Sequence, residues 1–367
     1  MKKFTLMIIA ALMAVTANAQ KLERAQLTRP VPAKANMVAR TMPGKVKPVK
    51  PFKLNSKAHK AAAISSIDDL TGTWMQVYYS YFDEVIMCTV MEITKVEGSR
   101  NKITINGWLG GWTEPIEATV DFKELTITIE PQLIYEYEGD VSLELVNVFS
   151  ETEGAPLVGT IDEDGSINFE DGWGAMFIDG SGYFYEIGLY TSLVRPNGKM
   201  NYTCNDKEYS DDIYIDVDEE ESLAYVFNFG AYGRMITLQL NNDHTVSVPS
   251  DQVVYSYVDY DVNEEGEVVA FILYGIGRDG KVPLTGTWTE TAITFDQPWT
   301  GYTENGVPID DGNSSCVITF GSEDPTGISQ VNAAQQNGGK AFNLAGQQVK
   351  QGYKGIVIKD GKKFVIK

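Results

Sequence analysis

The chain contains very little histidine, the side chain on which much acid-base catalysis and most zinc sites depend. Its 367 residues include two histidines, His59 and His244. A Ser-His-Asp or Cys-His arrangement would require His244 to lie beside a nucleophile, and nothing in the sequence places one there. His244 ends an Asn-Asn-Asp-His stretch that is typical of a turn. We therefore predict no catalytic residue, no metal site and no cofactor, and we interpret the protein as a non-enzyme.

Cysteine is also scarce, with three residues in the chain: Cys88, Cys204 and Cys316. A small and odd number argues against a disulfide framework in a chain of this length. Cys88 and Cys316 lie within apolar, strand-like runs, where a thiol behaves as a small hydrophobic side chain. Buried free thiols are therefore expected. One bridge with one free thiol stays open as an alternative, because the spacing does not select a pair.

Long apolar runs are absent from the sequence except at the N terminus. Lys2-Lys3 precede an apolar stretch at residues 4–15, and Ala17-Asn18-Ala19 forms a small-x-small cleavage site. This pattern is typical of a secretory signal peptide and is too short for a membrane span. We therefore predict an exported protein with a signal peptide at residues 1–19 and no transmembrane segment.

Basic residues are rare in the middle of the chain. Residues 64–325 contain 10 Lys and Arg against 48 Asp and Glu, a balance of −38. A surface this acidic repels phosphate backbones, so nucleic acid is excluded as a partner. Residues 20–63 have the opposite character, with eleven basic residues, one acid and five prolines. This composition predicts an extended basic linker, or alternatively a segment that folds back on the acidic body or binds lipopolysaccharide.

The abundant carboxylates indicate no specific site. A glycosidase needs two of them about 5 to 10 Å apart, which 48 acids supply by chance, so a carboxylate-dependent glycan hydrolase is a further alternative only. Asp259-x-Asp261-x-Asn263 begins like an EF-hand loop, but Glu264 stands where that loop requires glycine. Acid-rich turns between strands are the simpler interpretation of this segment and of residues 162–165 and 216–221.

Apolar and polar residues alternate with the period of a β-strand. Leu125-Thr-Ile-Thr-Ile129 and Ile213-Tyr-Ile-Asp-Val217 each place apolar residues on one face, and no long stretch after residue 19 has a helical apolar stripe. Turn sequences such as Asp164-Gly165 and Asp279-Gly280 separate these runs. The pattern predicts an all-β fold of barrels or sandwiches.

The acidic region contains a weak internal repeat. Residues 126–137 match residues 245–257, and residues 159–169 match residues 286–295, at separations of 119 and 127 residues. The blocks at residues 159–169 and 286–295 both end in an Ile-polar-Phe triplet. A tryptophan, Trp173 or Trp299, follows four residues after the phenylalanine. A period this long indicates a duplicated domain. We predict two tandem β domains, residues 64–200 and 201–325.

The first repeat begins with Gly72-Thr73-Trp74 at the start of a strand-like run. This resembles the G-x-W motif of lipocalins and their wider calycin relatives, and the repeat as a whole resembles calycin-like barrel domains of secreted bacterial proteins. The resemblance implies that Trp74 closes the floor of a barrel. The closing arginine of lipocalins is not evident in the sequence. A lipocalin-like carrier of a small apolar ligand is therefore an alternative function.

The C-terminal residues 326–367 have seven lysines and one acid. Phe342-Asn-Leu-Ala-Gly-Gln-Gln-Val349 precedes two apolar runs that Asp360-Gly361 separates, a pair typical of a two-residue hairpin. The segment resembles the C-terminal sorting domain of the type IX secretion system. That resemblance implies the secretion machinery as a partner through residues 326–367, and a final location outside the cell or on the outer-membrane surface, with the tail removed or replaced by an anchor.

Aromatic side chains are the main candidates for ligand binding. Trp108 and Trp112 lie in a glycine-rich connection, where both rings are hard to bury at once. Trp173 and Trp299 follow the repeated blocks. Exposed rings beside carboxylates suit a sugar or a protein partner. The alternative is that these large rings plug the barrel ends. The predicted function is that of a non-enzymatic surface or secreted binding protein whose ligand is a glycan or a protein.

Overall fold

The computed structural model of the chain describes residues 40–41, 64–111, 113–137, 141–150, 152, 154–179, 181–218, 220–259, 267–321, 341–343, 355–359 and 362–366. The signal peptide and most of the basic linker lie outside these residues. The described part is built from β-strands, so the all-β prediction is confirmed. Its helical elements are two short pieces, Ile67–Leu70 and the 3-10 turn Phe229–Ala231. No helix within the described ranges has the length and apolar character needed to cross a membrane.

The first repeat forms a closed barrel of eight antiparallel strands. The strands up to the end of this repeat are β1 (Arg40–Thr41), β2 (Gly72–Ser80), β3 (Val85–Lys95), β4 (Lys102–Asn106), β5 (Ile116–Asp121), β6 (Thr126–Ile129), β7 (Gln132–Tyr137), β8 (Val141–Asn147), β9 (Leu157–Ile161), β10 (Ile167–Phe169), β11 (Trp173–Phe177) and β12 (Tyr183–Val194). The barrel runs β2-β3-β4-β5-β6-β9-β10-β12 and closes between β12 and β2. Strands β7, β8 and β11 form an additional sheet that joins the barrel through β12.

The second repeat forms another closed barrel of eight strands. Its strands are β13 (Gly198–Cys204), β14 (Lys207–Asp218), β15 (Leu223–Phe227), β16 (Met235–Leu240), β17 (Thr245–Ser247), β18 (Val253–Asp259), β19 (Glu267–Gly277), β20 (Gly280–Val282), β21 (Thr285–Trp288), β22 (Ala292–Phe295), β23 (Trp299–Tyr302) and β24 (Ser314–Phe320). The barrel runs β13-β14-β15-β16-β17-β21-β22-β24, and β18, β19, β20 and β23 form a separate sheet. The predicted domain boundary at residue 200 lies inside β13.

The two repeats have the same strand arrangement. In each, a hairpin leaves the barrel after its fifth strand, and a later strand that begins with a tryptophan pairs with the second arm of that hairpin. Trp173 pairs with Asn147 in the first repeat, and Trp299 pairs with Gly275 in the second. Both hairpins also shift register at the same place, just before Tyr135 and Tyr255. The matched sequence blocks therefore occupy equivalent positions.

One glutamine side chain in each repeat forms hydrogen bonds with the backbone of an equivalent barrel strand, β5 in the first repeat and β16 in the second. The Gln132 side chain accepts a hydrogen bond from Glu117 N at 2.8 Å and donates to Glu117 O at 2.9 Å. The Gln252 side chain accepts from Thr237 N at 2.9 Å and donates to Thr237 O at 2.8 Å. Each side-chain amide thus pairs with the backbone of β5 or β16 in the way that a residue of a neighbouring strand would.

Replacing Gln252 with alanine is expected to lower the free energy of unfolding by about 1–2 kcal/mol, because two hydrogen bonds to backbone groups are lost. Gln132→Ala should have a similar but smaller effect, since its partner Glu117 is exposed. Urea unfolding measures both values. Gln26→Ala in the basic linker is the control. Gln297→Ala is unsuitable, because the Gln297 side chain also forms a hydrogen bond with backbone. Equal stability of Gln252→Ala and Gln26→Ala would contradict the role given to these amides.

The floor of the first barrel is closed by Trp74. Its Nε1 donates to Leu70 O at 2.7 Å, and the ring is fully buried. The Arg195 guanidinium, directly after β12, lies 4.2 Å from the ring centroid and donates to the carbonyl groups of Asp69 and Thr71. Sequence alone did not identify Arg195, because its partner carbonyls are more than 120 residues away in the chain.

The two barrels pack against each other through a third apolar cluster. Met75 and Val77 of β2 alternate with core residues of the first barrel and point to the opposite side, where they meet Tyr214 and Phe227 of the second barrel. Cys88 lies in the same cluster, and its N–H donates to Gly233 O at 3.0 Å. Residues from both repeats are thus fully buried at one interface.

Alkaline pH is expected to weaken this interface. Burial raises the pKa of the Cys88 thiol from 9.0 to about 12, and burial also raises the pKa of Tyr214, with Asp216 adding to the shift. Both groups stay neutral in the folded protein while the unfolded chain loses their protons, so the free energy of unfolding should fall as the pH rises above about 9. Urea midpoints between pH 8 and 11 measure this slope. Cys88→Ala should reduce the slope, and an unchanged slope in that variant would contradict the assignment.

The strands near the C terminus belong to a separate compact unit. They are β25 (Ala341–Asn343), β26 (Gly355–Lys359) and β27 (Lys362–Ile366), in one antiparallel sheet. Lys359 pairs with Lys362, so a two-residue connection joins β26 to β27, as the hairpin prediction required. The similarity to a sorting domain stays a prediction.

Candidate functional site

Three of the four tryptophans predicted to bind a ligand are buried. The side chains of Trp108, Trp173 and Trp299 are each 0% exposed. Trp112 lies outside the described residues. A ligand on the surface cannot contact rings that are fully covered, so the prediction is wrong for these three positions. Their role is the alternative one, filling the barrels, because the glycine-rich loop after β4 turns inward and carries Trp108 into the core.

Ring contacts fill the interiors of both barrels. In the first repeat, the ring centroid of Trp173 lies 5.1 Å from that of Tyr78 and 5.6 Å from that of Trp108, and both pairs meet edge to face. In the second, Trp299 lies 4.8 Å from Phe229 between ring centroids. Such distances leave no room for another molecule between these rings. These rings therefore belong to the packed cores of the two repeats.

Some acidic side chains are held in local hydrogen bonds within turns. Asp218 accepts from the backbone N–H groups of Glu220 and Glu221, and Asp164 accepts from Ser166, as in ordinary turns. No set of three or more His, Cys, Asp or Glu side chains in the ranges given above is placed to hold a metal ion. His244 lies in the turn before β17 and has a positive φ of 65°. Leu125, which has a φ of 52°, lies at the equivalent position before β6 in the first repeat. Asp261 and Asn263 of the EF-hand-like segment lie outside the described residues.

The additional sheet of the first repeat has an apolar outer face. Leu143 and Leu145 of β8, like Trp173 and Ala175 of β11, belong to the barrel core. Side chains alternate along a strand, so the residues between them point away from that core. They form a cluster of ten residues with neighbours from the other strands, which we call the aromatic face: Phe184, Ile187 and Leu189, which are buried, and Tyr79, Tyr81, Phe82, Val146, Val148, Met176 and Tyr190, which are partly buried.

Two glycines of this sheet allow rings to lie directly on the backbone. A Cβ at Gly174 would be 2.5 Å from the Phe184 ring, and a Cβ at Gly172 would be 2.7 Å from the Phe149 ring. Phe149 is 43% exposed, and Ile178 and Tyr183 beside the cluster are 52% and 38% exposed. Three exposed apolar side chains thus belong to the same segments as residues of the aromatic face.

Carboxylates border the aromatic face. Asp83 and Glu84 lie in the turn that follows β2, and Asp179 lies in the turn between β11 and β12. Burial raises the pKa of Tyr79, and the nearby Glu84 carboxylate raises it further. Behind the face, the buried Glu186 carboxylate accepts a hydrogen bond from Ser80 Oγ at 2.8 Å. The apolar surface thus has a negatively charged rim.

The second repeat carries a smaller row of rings on its hairpin. Tyr255 lies 6.2 Å from Tyr232 and 6.3 Å from Tyr257 between ring centroids, and Tyr257 is 39% exposed. Arg234 Nη2 donates to Ser256 Oγ on the intervening residue at 2.6 Å. We call Tyr232, Tyr255 and Tyr257 the tyrosine row.

The chain matches no protein-family model, no curated protein and no solved structure. Any assignment of function therefore depends on the surfaces described above. Sequence reasoning did not group the aromatic residues of this face, because the bulges in β12 that help to bring them together leave no sequence pattern.

Proposed function

We propose that the protein is an exported, non-enzymatic binding protein, and that the aromatic face of its first barrel binds a protein partner. The observation that carries the proposal is the cluster of ten apolar residues, seven of them partly buried, on the outer side of a sheet whose inner side is already a packed core. Mixed aromatic and aliphatic side chains with a polar rim are typical of protein interfaces.

Filled barrels support surface binding over a carrier function. A lipocalin-like carrier needs an internal space for its ligand, whereas here buried tryptophan rings pack against other aromatic side chains in the core of each repeat. A hydrolase needs two facing acids in a cleft, whereas Glu186, a fully buried acid, is bound by Ser80. These contacts favour binding without catalysis.

Export is the second part of the proposal. The signal-peptide pattern at residues 1–19 and the sorting-domain similarity of residues 326–367 support secretion by the type IX machinery, followed by release or attachment at the outer-membrane surface. Deletion of residues 326–367 should retain the protein in the periplasm of a host that has this system. Fractionation and immunoblotting give the answer, and normal export of the shortened chain would overturn this part.

The binding proposal is tested with peptides selected from a displayed random library on the mature chain. Their dissociation constants are then measured on the double variant Tyr81→Ser, Phe82→Ser, which removes two rings in edge-to-face contact at 5.6 Å. We expect affinity to fall by about tenfold or more, as for central interface residues. The matched control is Leu125→Ser with Val158→Ser, two side chains that are 37% and 43% exposed elsewhere on the barrel. Equal loss in both variants, or none in either, would contradict the proposal.

A glycan is the second candidate ligand, and the tyrosine row favours it. Tyr257 is 39% exposed and its ring centroid lies 6.3 Å from that of Tyr255, so it offers an aromatic surface on which a sugar ring can stack. Tyr257→Ala should then abolish binding on a glycan array that Tyr81→Ser, Phe82→Ser leaves unchanged. The absence of any glycan bound by the wild-type chain would remove this candidate.

A further inference from the structure

One edge of β12 pairs with two different strands along its length. Its C-terminal part pairs with β2 up to the pair Gly188 and Ser80, and Tyr81 N–H then donates to Ile187 O at 2.9 Å. After this point the chain leaves the sheet through the turn at residues 81–84. Strand β12 continues to Tyr183 beyond the end of β2, so its backbone groups need a different partner there.

That partner is a piece of the basic N-terminal segment. Strand β1 pairs antiparallel with β12, with Arg40 opposite Phe184 and Thr41 opposite Tyr183. The opposite edge of β12 is paired at the same place with β11, where Met176 faces Phe184. The added strand therefore completes the sheet directly beside Phe184, a central residue of the aromatic face.

Charge favours a basic occupant at this edge. Residues 20–63, from which β1 comes, contain eleven basic residues and one acid. The turns next to the edge contain Asp83, Glu84 and Asp179, and the last two are exposed. The region that surrounds them, residues 64–325, has a balance of −38. Opposite charge raises the association rate and the specificity of such a contact.

We infer that the β12 edge at Tyr183 and Phe184 is a strand-addition site for an extended basic peptide, which the chain's own Arg40 and Thr41 occupy in the free protein. Backbone hydrogen bonds to an open sheet edge supply affinity in this mode of recognition, and side-chain contacts supply specificity. The pairing of Arg40 with Phe184 places this strand next to a residue of the aromatic face. The inference thus rests on the proposed function and states the form of the partner: an extended strand that displaces β1.

The test uses the full mature chain and a fluorescein-labelled peptide of residues 36–45. Arg40→Pro with Thr41→Pro removes the backbone donors of β1, and Ser56→Pro is the control that adds proline elsewhere in the same segment. In the double variant the peptide should bind about tenfold more tightly than to the wild-type chain, because the competing segment no longer occupies the edge. Backbone amides of residues 183–186 should exchange about tenfold faster in the double variant than in the control, and added peptide should restore their protection.

Equal peptide affinity and equal amide exchange in all three proteins would overturn the inference. So would tighter peptide binding without restored protection at residues 183–186, since the peptide would then lie elsewhere. The library peptides used for the aromatic face separate the two proposals. If they lose affinity in Tyr81→Ser, Phe82→Ser but do not compete with the peptide of residues 36–45, the aromatic face is a binding surface and the strand-addition site is wrong.

Discussion

Replacing Trp299 with alanine is expected to lower the free energy of unfolding by about 3–5 kcal/mol, and Trp173→Ala should do the same. Both rings are 0% exposed and belong to the core cluster of their own repeat. Trp173 contacts Tyr78 and Trp108, and its Nε1 donates to Thr191 Oγ1 at 2.8 Å. Trp299 contacts Phe229 and Tyr202. Equivalent positions in two equivalent cores should therefore give losses of similar size.

Urea unfolding followed by circular dichroism measures the two losses. Ile178→Ala, at a side chain that is 52% exposed, is the control and should change stability by less than about 0.5 kcal/mol. Should an alanine variant not fold, Trp173→Phe and Trp299→Phe keep part of the ring volume and should each cost less. A loss below about 1 kcal/mol at either tryptophan would mean that its ring is not a core element.

Gly286→Ala is expected to destabilise the second barrel by about 3 kcal/mol or more, because the added methyl group meets backbone that cannot move without opening the sheet. A Cβ there would be 2.1 Å from Thr294 O and 2.9 Å from Phe295 Cα on the paired strand β22. Gly159 holds the equivalent place in the first repeat, but there the added Cβ would meet the Phe169 and Ile127 side chains. Side chains adjust more easily than backbone, so Gly159→Ala should cost less than Gly286→Ala.

Thermal unfolding of the two variants provides the comparison. Gly111→Ala is the matched control, since a Cβ at Gly111 has nothing within 4 Å. Its melting temperature should be close to that of the wild-type chain. If Gly286→Ala were as stable as Gly111→Ala, the close pairing of β21 with β22 would be refuted.

Much of the fold follows from the sequence, because its strand pattern and its repeat are local or periodic features. The block at residues 126–137 became β6 and β7, the matching block became β17 and β18, and the two tryptophans begin equivalent strands. Even the glutamines that bind β5 and β16 stand inside these blocks, at Gln132 and Gln252. Their role was not predictable, because the partners Glu117 and Thr237 lie fifteen residues earlier in the chain.

The candidate site was less predictable than the fold. Tryptophan on a glycine-rich loop is compatible with exposure or with burial, and only the inward turn of that loop decides for Trp108. The aromatic face depends on β12, a strand of 12 residues that pairs with β10 at one end and with β11 at the other. Its bulges reverse the side on which residues point, so alternation in the sequence does not show which rings meet.

The central claim is that two equivalent, filled barrels present their binding surface on the outside. A crystal structure of the mature chain tests it most directly. We expect two closed barrels of eight strands each, with Trp173 and Trp299 buried at superimposable positions in the two repeats and with Tyr81 and Phe82 partly exposed on the aromatic face. An empty cavity in place of either ring, or an open sheet in place of either barrel, would contradict the account.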